Sequence, residues 1–257
     1  MNDVEARAPS GATAGDDEAL LRGLQTLRRA WWFGIPLLLA VPVAAGAAVI
    51  AWLAPPDWAQ GALGAAGWVV ALQLRLPVSL LARRSSRNRR TIALAVASAS
   101  GPAEESVRVV LVLLVAAAFR PALWLGLGWA SVEVVYAAVN AVVAPLLLPR
   151  LLRDPSEKAR QARELIVPQL STTLAASPSG VVALGTAERI GATAIHVGFT
   201  LILAAQPWLA LLTAPLHTGI NLGAIALQRR SLLLMETLVV GAGAAAFAVG
   251  LIAFHHL

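Results

Sequence analysis

Apolar residues in this chain fall into long runs, where a soluble protein would show spaced stripes. Residues 31–54 form the first run and contain no charge. About 20 such residues cross a bilayer core as a helix. Further runs follow at 58–82, interrupted by Arg75, and at 91–119, broken by the polar stretch SASGPAEESVR. The next are 121–148 with Glu133, 181–206 with Glu188, Arg189 and His196, and 208–228 with His217 and Asn221. The last is 231–254, with Glu236 near its start. The pattern predicts an all-α, polytopic membrane helix bundle of about seven transmembrane helices, one membrane domain over 31–257. Residues 1–16 are small and polar without periodicity, a tail predicted to be disordered. Residues 17–30 predict a juxtamembrane amphipathic helix, with Asp16 and Asp17 suited to its N-terminus. Residues 166–180 (IVPQLSTTLAASPSG) are too polar for a span and too apolar for a free loop. They predict an interfacial or re-entrant segment. No internal repeat is visible, which weighs against a secondary transporter.

Composition agrees with this reading. The AVILMFWYC class makes up 58% of 257 residues and charged residues only 13%, about half the usual ~25%. The chain has no cysteine, which removes disulfides, thiol catalysis and thiolate metal ligands. Its net charge of +6 is spread through short loops, so it points to no nucleic-acid partner. The charge does orient the chain. Basic residues collect at Arg22, Arg28 and Arg29, in RRSSRNRR (83–90), at Arg150, Arg153, Lys158, Arg160 and Arg163, and at Arg229 and Arg230. With seven spans these segments share one side, predicting a cytoplasmic N-terminus and an outside C-terminus. Trp31, Trp32, Trp52, Trp58 and Trp208 sit at predicted span ends, as an interfacial belt requires. The first residues are acidic where a signal peptide is basic, so none is expected there. The expected location is a cell membrane, multi-pass, in the bacterial inner membrane. The bilayer itself is then the first partner.

The polar residues inside the runs carry the functional question. Arg75, Glu104, Glu105, Arg108, Glu133, Glu188 and Arg189 all lie within them. A charge at the bilayer centre costs about 2.5–3.5 kcal/mol on insertion scales, so seven isolated ones would cost on the order of 20 kcal/mol. They must pair or face a wet cavity. Glu104 and Glu105 precede Arg108 by four and three residues, within reach over one helical turn. Gly101-Pro102 suits a break and a new helix start just before them. Arg189 and His196 are two turns apart on one face, with Glu188 adjoining. His217 and Asn221 are one turn apart. Arg75 reads as a counter-charge to the excess glutamates. A carboxylate can activate water as a general base, and imidazole with an Asn amide can stabilise an oxyanion. Glu104, His196 and His217 have instead the chemistry of a zinc ligand set, making zinc the candidate cofactor. Either route hydrolyses amides without Ser or Cys, and no GxSxG or HExxH occurs.

AEESVR (103–108), WASVE (129–133), ERIGATAIH (188–196) and HTGIN (217–221) resemble the four ordered motifs of the CAAX-protease/PrsW superfamily of intramembrane proteases. The ERI…H form of the third motif most resembles the YhfC-like branch. The resemblance covers about residues 68–225. It implies a Glu-dependent membrane endopeptidase acting on a membrane-embedded or membrane-adjacent peptide. Glu104 and Glu105 would match the water-activating pair, with Arg108 fixing their geometry. His196 would match the catalytic or ligating histidine, and His217 with Asn221 the oxyanion-binding pair. Glu133 matches the second-motif acid of PrsW-like members, where CAAX-type members tend to have His. Glu188 and Arg189 fall in the supporting part of the third motif.

Two rivals carry different geometry. A non-catalytic scaffold of the same superfamily predicts carboxylates and histidines consumed by mutual contacts. A proton- or ion-coupled transporter predicts a path reaching both faces. The protease predicts a cavity closed at one end, with both histidines beside the glutamate pair.

Overall fold

In the computed structural model the described residues are 14–86, 88–156, 159–160, 163, 173, 177–228 and 230–255. The predicted disordered tail falls mostly outside them, as does all but Thr173 of the 166–176 part of the predicted re-entrant segment. The described residues contain no strand. Their helices are α1 (Ala14–Trp52), α2 (Trp58–Ser85), α3 (Arg89–Ser98), α4 (Ser100–Val115), α5 (Phe119–Arg153), α6 (Pro178–Ala205), α7 (Ala210–Gln228) and α8 (Leu232–His255). A short 3-10 turn, Pro207–Leu209, links α6 to α7.

Six of these helical stretches are long and apolar enough to cross a membrane, within α1, α2, α5, α6, Pro207–Gln228 and α8. The chain is therefore a multi-pass membrane helix bundle. Its outward face is greasy, as lipid requires: Trp32, Phe33 and Leu211 are 72%, 83% and 84% exposed. One expectation needs revision. The 17–30 segment is not a separate surface helix, because α1 runs without a break from Ala14 through the first span. The 91–119 run is divided at Ala99 into α3 and α4, where the polar stretch and Gly101-Pro102 placed a break. Pro102 cannot continue a helix from upstream but fits the first turn of a new one, so α4 starts there. With 16 residues, α4 is about 24 Å long at 1.5 Å per residue, short of a ~30 Å hydrocarbon core.

Contacts fix the direction of each helix. Leu24 of α1 packs on Leu148 near the end of α5, which sets the basic end of the bundle. At the other end one apolar cluster joins Val49 of α1, Val112 of α4, Leu123 and Trp124 of α5 and Leu203 of α6, with Phe254 of α8 against it. Hydrogen bonds stitch the turns there: Gln60 Nε2 donates to Val115 O (3.0 Å), Arg120 Nη2 to Pro56 O (2.7 Å) and Trp124 Nε1 to Pro55 O (2.9 Å).

The middle of the bundle closes through small residues. Lipid is as apolar as leucine, so packing rather than hydrophobicity joins membrane helices, and small residues let backbones approach. A Cβ on Gly128 of α5 would lie 1.9 Å from Gly61 O of α2. A Cβ on Gly198 of α6 would lie 2.3 Å from the Ala246 backbone of α8, and one on Gly101 of α4 would lie 2.4 Å from Ala214 O of α7. The most apolar window of α6 is 72% buried against 11% for that of α7, so α6 is the central helix and α7 a peripheral one.

Gly198→Ala is therefore expected to push α6 from α8 and destabilise the protein by about 1–3 kcal/mol, as overpacking does. Gly241→Ala on α8, where a Cβ would have nothing within 4 Å, should leave stability unchanged. Thermal unfolding of both variants in detergent checks the contrast.

Candidate active site

The break between α3 and α4 puts the start of a helix inside the bundle, and the charged residues gather on it. Ser100, Gly101, Glu104, Glu105 and Arg108 form its buried face. Arg108 is 0% exposed and sits over the Trp129 ring, 4.6 Å from ring centre to guanidinium carbon. One of its nitrogens pairs with Glu105 Oε1, as the three-residue spacing predicts. Another lies 2.9 Å from His196 Nδ1. Thus α4 is bound to α6 through a single buried cation.

This cation assigns the proton on His196. A guanidinium only donates, so Nδ1 must accept. The ring proton is then on Nε2, which lies 2.6 Å from Glu133 Oε2 and donates to it. Glu133 also accepts from Arg189 Nη1 at 2.9 Å and Trp68 Nε1 at 3.2 Å. Arg189 in turn pairs with Glu188. The shared face predicted for Arg189 and His196 is real, and one carboxylate meets them both. Both His196 nitrogens are occupied.

His217 differs. Its Nδ1 lies 2.8 Å from Glu105 Oε1, and a carboxylate accepts, so Nδ1 carries the proton. Its Nε2 lies 3.7 Å from Glu104 Oε2, so the ring stands between two carboxylates. The two imidazole rings stand 5.6 Å apart between centroids. Glu104 pairs with Arg75 through Oε1, and its Oε2 accepts from Trp129 Nε1 at 3.3 Å. Glu105 is held deeper, 1% exposed, and also accepts from Thr213 Oγ1 at 3.2 Å. The two adjacent glutamates thus have different surroundings. Glu104 lines a cavity, and Glu105 orients His217 from behind.

The cavity beside Glu104 measures about 760 Å³ and is lined by Arg75, Glu104, Glu133, His196, His217 and Asn221 among others. It shares Arg75, Glu188 and Asn221 with a second cavity of about 1220 Å³, which runs past Arg83 and Ser86 toward the basic end. The opposite end is filled by the apolar cluster around Leu123, Leu201 and Leu203, each 0% exposed.

Each sequence-predicted site residue has a definite place. Glu104, Glu105, Arg108, His196 and His217 meet in one centre. Glu133, Arg189 and Glu188 form a chain leading from it. Asn221 lines the cavity but donates to Ser100 Oγ at 2.7 Å, one turn before Glu104, so its amide ties α7 to α4. Arg75 is the counter-charge of Glu104, as expected. Sequence reasoning missed Thr213 and the roles of Trp68 and Trp129. The signal for Thr213 was available, since it precedes His217 by four residues in an apolar run.

A zinc ion fits this arrangement poorly. Ligand atoms of Glu104, His196 and His217 do lie within 4.8 Å of one another. However, His196 Nδ1, 3.9 Å from Glu104 Oε2, already accepts from Arg108, and its Nε2 is taken by Glu133. A dication there would have to displace a guanidinium and remain beside it. Comparison with known proteins adds no name: no family model, curated protein or solved structure matches the chain.

Removing Arg108 should uncouple the centre. Arg108→Ala takes the guanidinium from buried Glu105, which keeps His217 and Thr213, and leaves the Nδ1 of His196 without its donor, and breaking such a buried pair costs about 3–5 kcal/mol. Arg75→Gln removes a cation that is 20% exposed and touches only the cavity side of Glu104, so its cost should be smaller. Thermal midpoints and purification yields of the two variants give the ranking.

Proposed function

We propose that the protein is an intramembrane endopeptidase of the glutamate-dependent type, as its resemblance to the YhfC-like branch of the CAAX-protease/PrsW superfamily implies. The observation that carries this reading is the close approach of Glu104 Oε2 and His217 Nε2, 3.7 Å apart on the wall of a cavity. A water held by Glu104 Oε2 beside this ring presents its oxygen lone pair to a substrate carbonyl. Glu104 takes the proton as the water oxygen attacks, and a C–O bond forms. His217, held by Glu105 through Nδ1, stabilises the developing oxyanion through an Nε2–H when its ring is protonated between the two carboxylates. The C–N bond then breaks, and the amine leaves with the proton from Glu104. The sum is one water added across one peptide bond. No step is routed through a metal, because His196, one of the three candidate ligands, is already committed to Arg108 and Glu133.

One feature favours the scaffold rival in part: His196 is fully consumed by its two contacts. In our reading His196 is a positioning residue that holds Arg108 in register, and His217 is the catalytic histidine. The transporter rival is supported less, because the buried apolar cluster at the other end of the bundle lines neither cavity. The substrate is a peptide reaching the site from the basic end, in or next to the bilayer.

We also propose seven crossings, with α3 and α4 together making a shortened third. Support comes from Leu24 and Phe254 lying at opposite ends of the bundle. The basic segments put the N-terminus in the cytoplasm, in keeping with a bacterial inner membrane.

Glu104→Gln is expected to keep the fold, since an amide is cheaper to bury than a carboxylate, while cleavage of a reconstituted membrane peptide falls about 10²–10⁴-fold. Undiminished cleavage by a folded Glu104→Gln protein overturns Glu104 as the base. In the same assay a zinc chelator should leave both cleavage and thermal midpoint unchanged. For topology, cysteines introduced singly at Ser86 and Asp57 should label from opposite sides of the membrane, and labelling from one side refutes seven crossings.

A further inference from the structure

Glu236 takes no part in the centre described above, and its environment is unusual. It lies one turn into α8, is 5% exposed, and its Oε2 meets no hydrogen-bond partner among the described residues. An unpartnered buried carboxyl oxygen forfeits its hydration without return, at about 1–3 kcal/mol or more. The group lines a cavity of about 220 Å³ between α1, α6 and α8. The cavity walls are largely hydrocarbon, with Trp31, Leu38, Val181 and Leu184 among them. Glu188 and Arg189 line its inner side and divide it from the catalytic cavity.

The charges here do not balance. Arg189 is the guanidinium at this point, and its nitrogens are committed to Glu188 and Glu133. Glu236 makes a third carboxyl group beside that cation among the described residues. In its ionised form it lacks a counter-charge there, and a cation would supply one. The walls indicate what kind. A bare metal ion prefers six or more oxygen ligands, which an apolar wall does not supply. A short alkyl chain with an ammonium head satisfies both parts, with its carbons on the hydrocarbon and its head on Glu236. The volume admits roughly seven groups of water size, at ~30 Å³ each, enough for a five-atom alkylammonium.

We propose that the cavity between α1, α6 and α8 is a binding site for a primary alkylammonium group, with Glu236 as its counter-charge. The site stands whether or not the neighbouring centre hydrolyses peptides, because it uses none of Glu104, Glu105, His196 or His217.

The test is a thermal-unfolding titration of the purified full chain in detergent, with n-butylammonium chloride as probe. At about pH 8.5 the probe stays charged, since an alkyl amine titrates near ~10.4. A several-fold excess over its Kd should raise the midpoint by about 2–4 °C. Sodium chloride at equal ionic strength and n-butanol at equal concentration should not. Glu236→Gln removes an unpartnered charge, so it should fold at least as stably as the parent and lose the butylammonium shift. An equal shift in Glu236→Gln, no shift in the parent at tens of millimolar, or the same shift with sodium alone each overturns the proposal. Calorimetric titration of butylammonium into parent and variant measures the same difference in binding without heating.

Discussion

A guanidinium enclosed on every side in a membrane bundle is tolerable only if its surroundings are built to receive it. Arg108 is such a group, and much of the protein follows from meeting its needs. Glu105 supplies the counter-charge, His196 an acceptor, and the Trp129 face a cation–π partner. These partners come from α4, α6 and α5, so one cation holds three helices in register. Because Arg108 only donates, it also decides which nitrogen of His196 carries the proton. That choice passes to Glu133, then to Arg189 and Glu188. An electrostatic obligation at one atom is thus propagated along a line of hydrogen bonds.

That line separates two histidines which composition alone would treat as equal. His196 has both nitrogens bonded. His217 has one nitrogen tied to Glu105 and one directed toward Glu104. Orienting carboxylate, imidazole and second carboxylate form an ordered set, and the order comes from burial. Glu105 lies against Thr213 and Arg108, while Glu104 stands at the cavity wall with Arg75. Adjacent residues on one helix point about 100° apart. That is enough to put one carboxyl behind the histidine and the other before it.

Small-residue packing supplies the rest of the frame. Gly101 lets α4 approach α7 closely enough for His217 to reach Glu105, and Gly198 lets α6 lie against α8. Large apolar side chains meanwhile fill the end away from the basic loops. A polar cavity that continues toward the basic loops results from these two kinds of packing, with no strain required of the backbone: among the described residues there is no positive φ.

Hydropathy alone establishes that the chain is helical and membrane-embedded, because a bilayer demands long apolar runs and internally satisfied backbones. Helical periodicity likewise establishes the short-range relations. Glu105 with Arg108, and the common face of Arg189 and His196, follow from it, and the break before Glu104 follows from Pro102. Neither signal says which runs are single helices. The continuity of α1 from Ala14 through the first span is not given by hydropathy. Nor does either signal name partners on different helices. Glu133 with His196, Arg75 with Glu104 and Asn221 with Ser100 lie 63, 29 and 121 residues apart. Only the packed bundle brings such groups together, because hydrogen bonds act over about 3 Å and periodicity carries no information across a loop. For the same reason Glu236, which looks like an interfacial residue by position, proves to be buried: its depth is decided by α6 packing against α8, not by its place in α8.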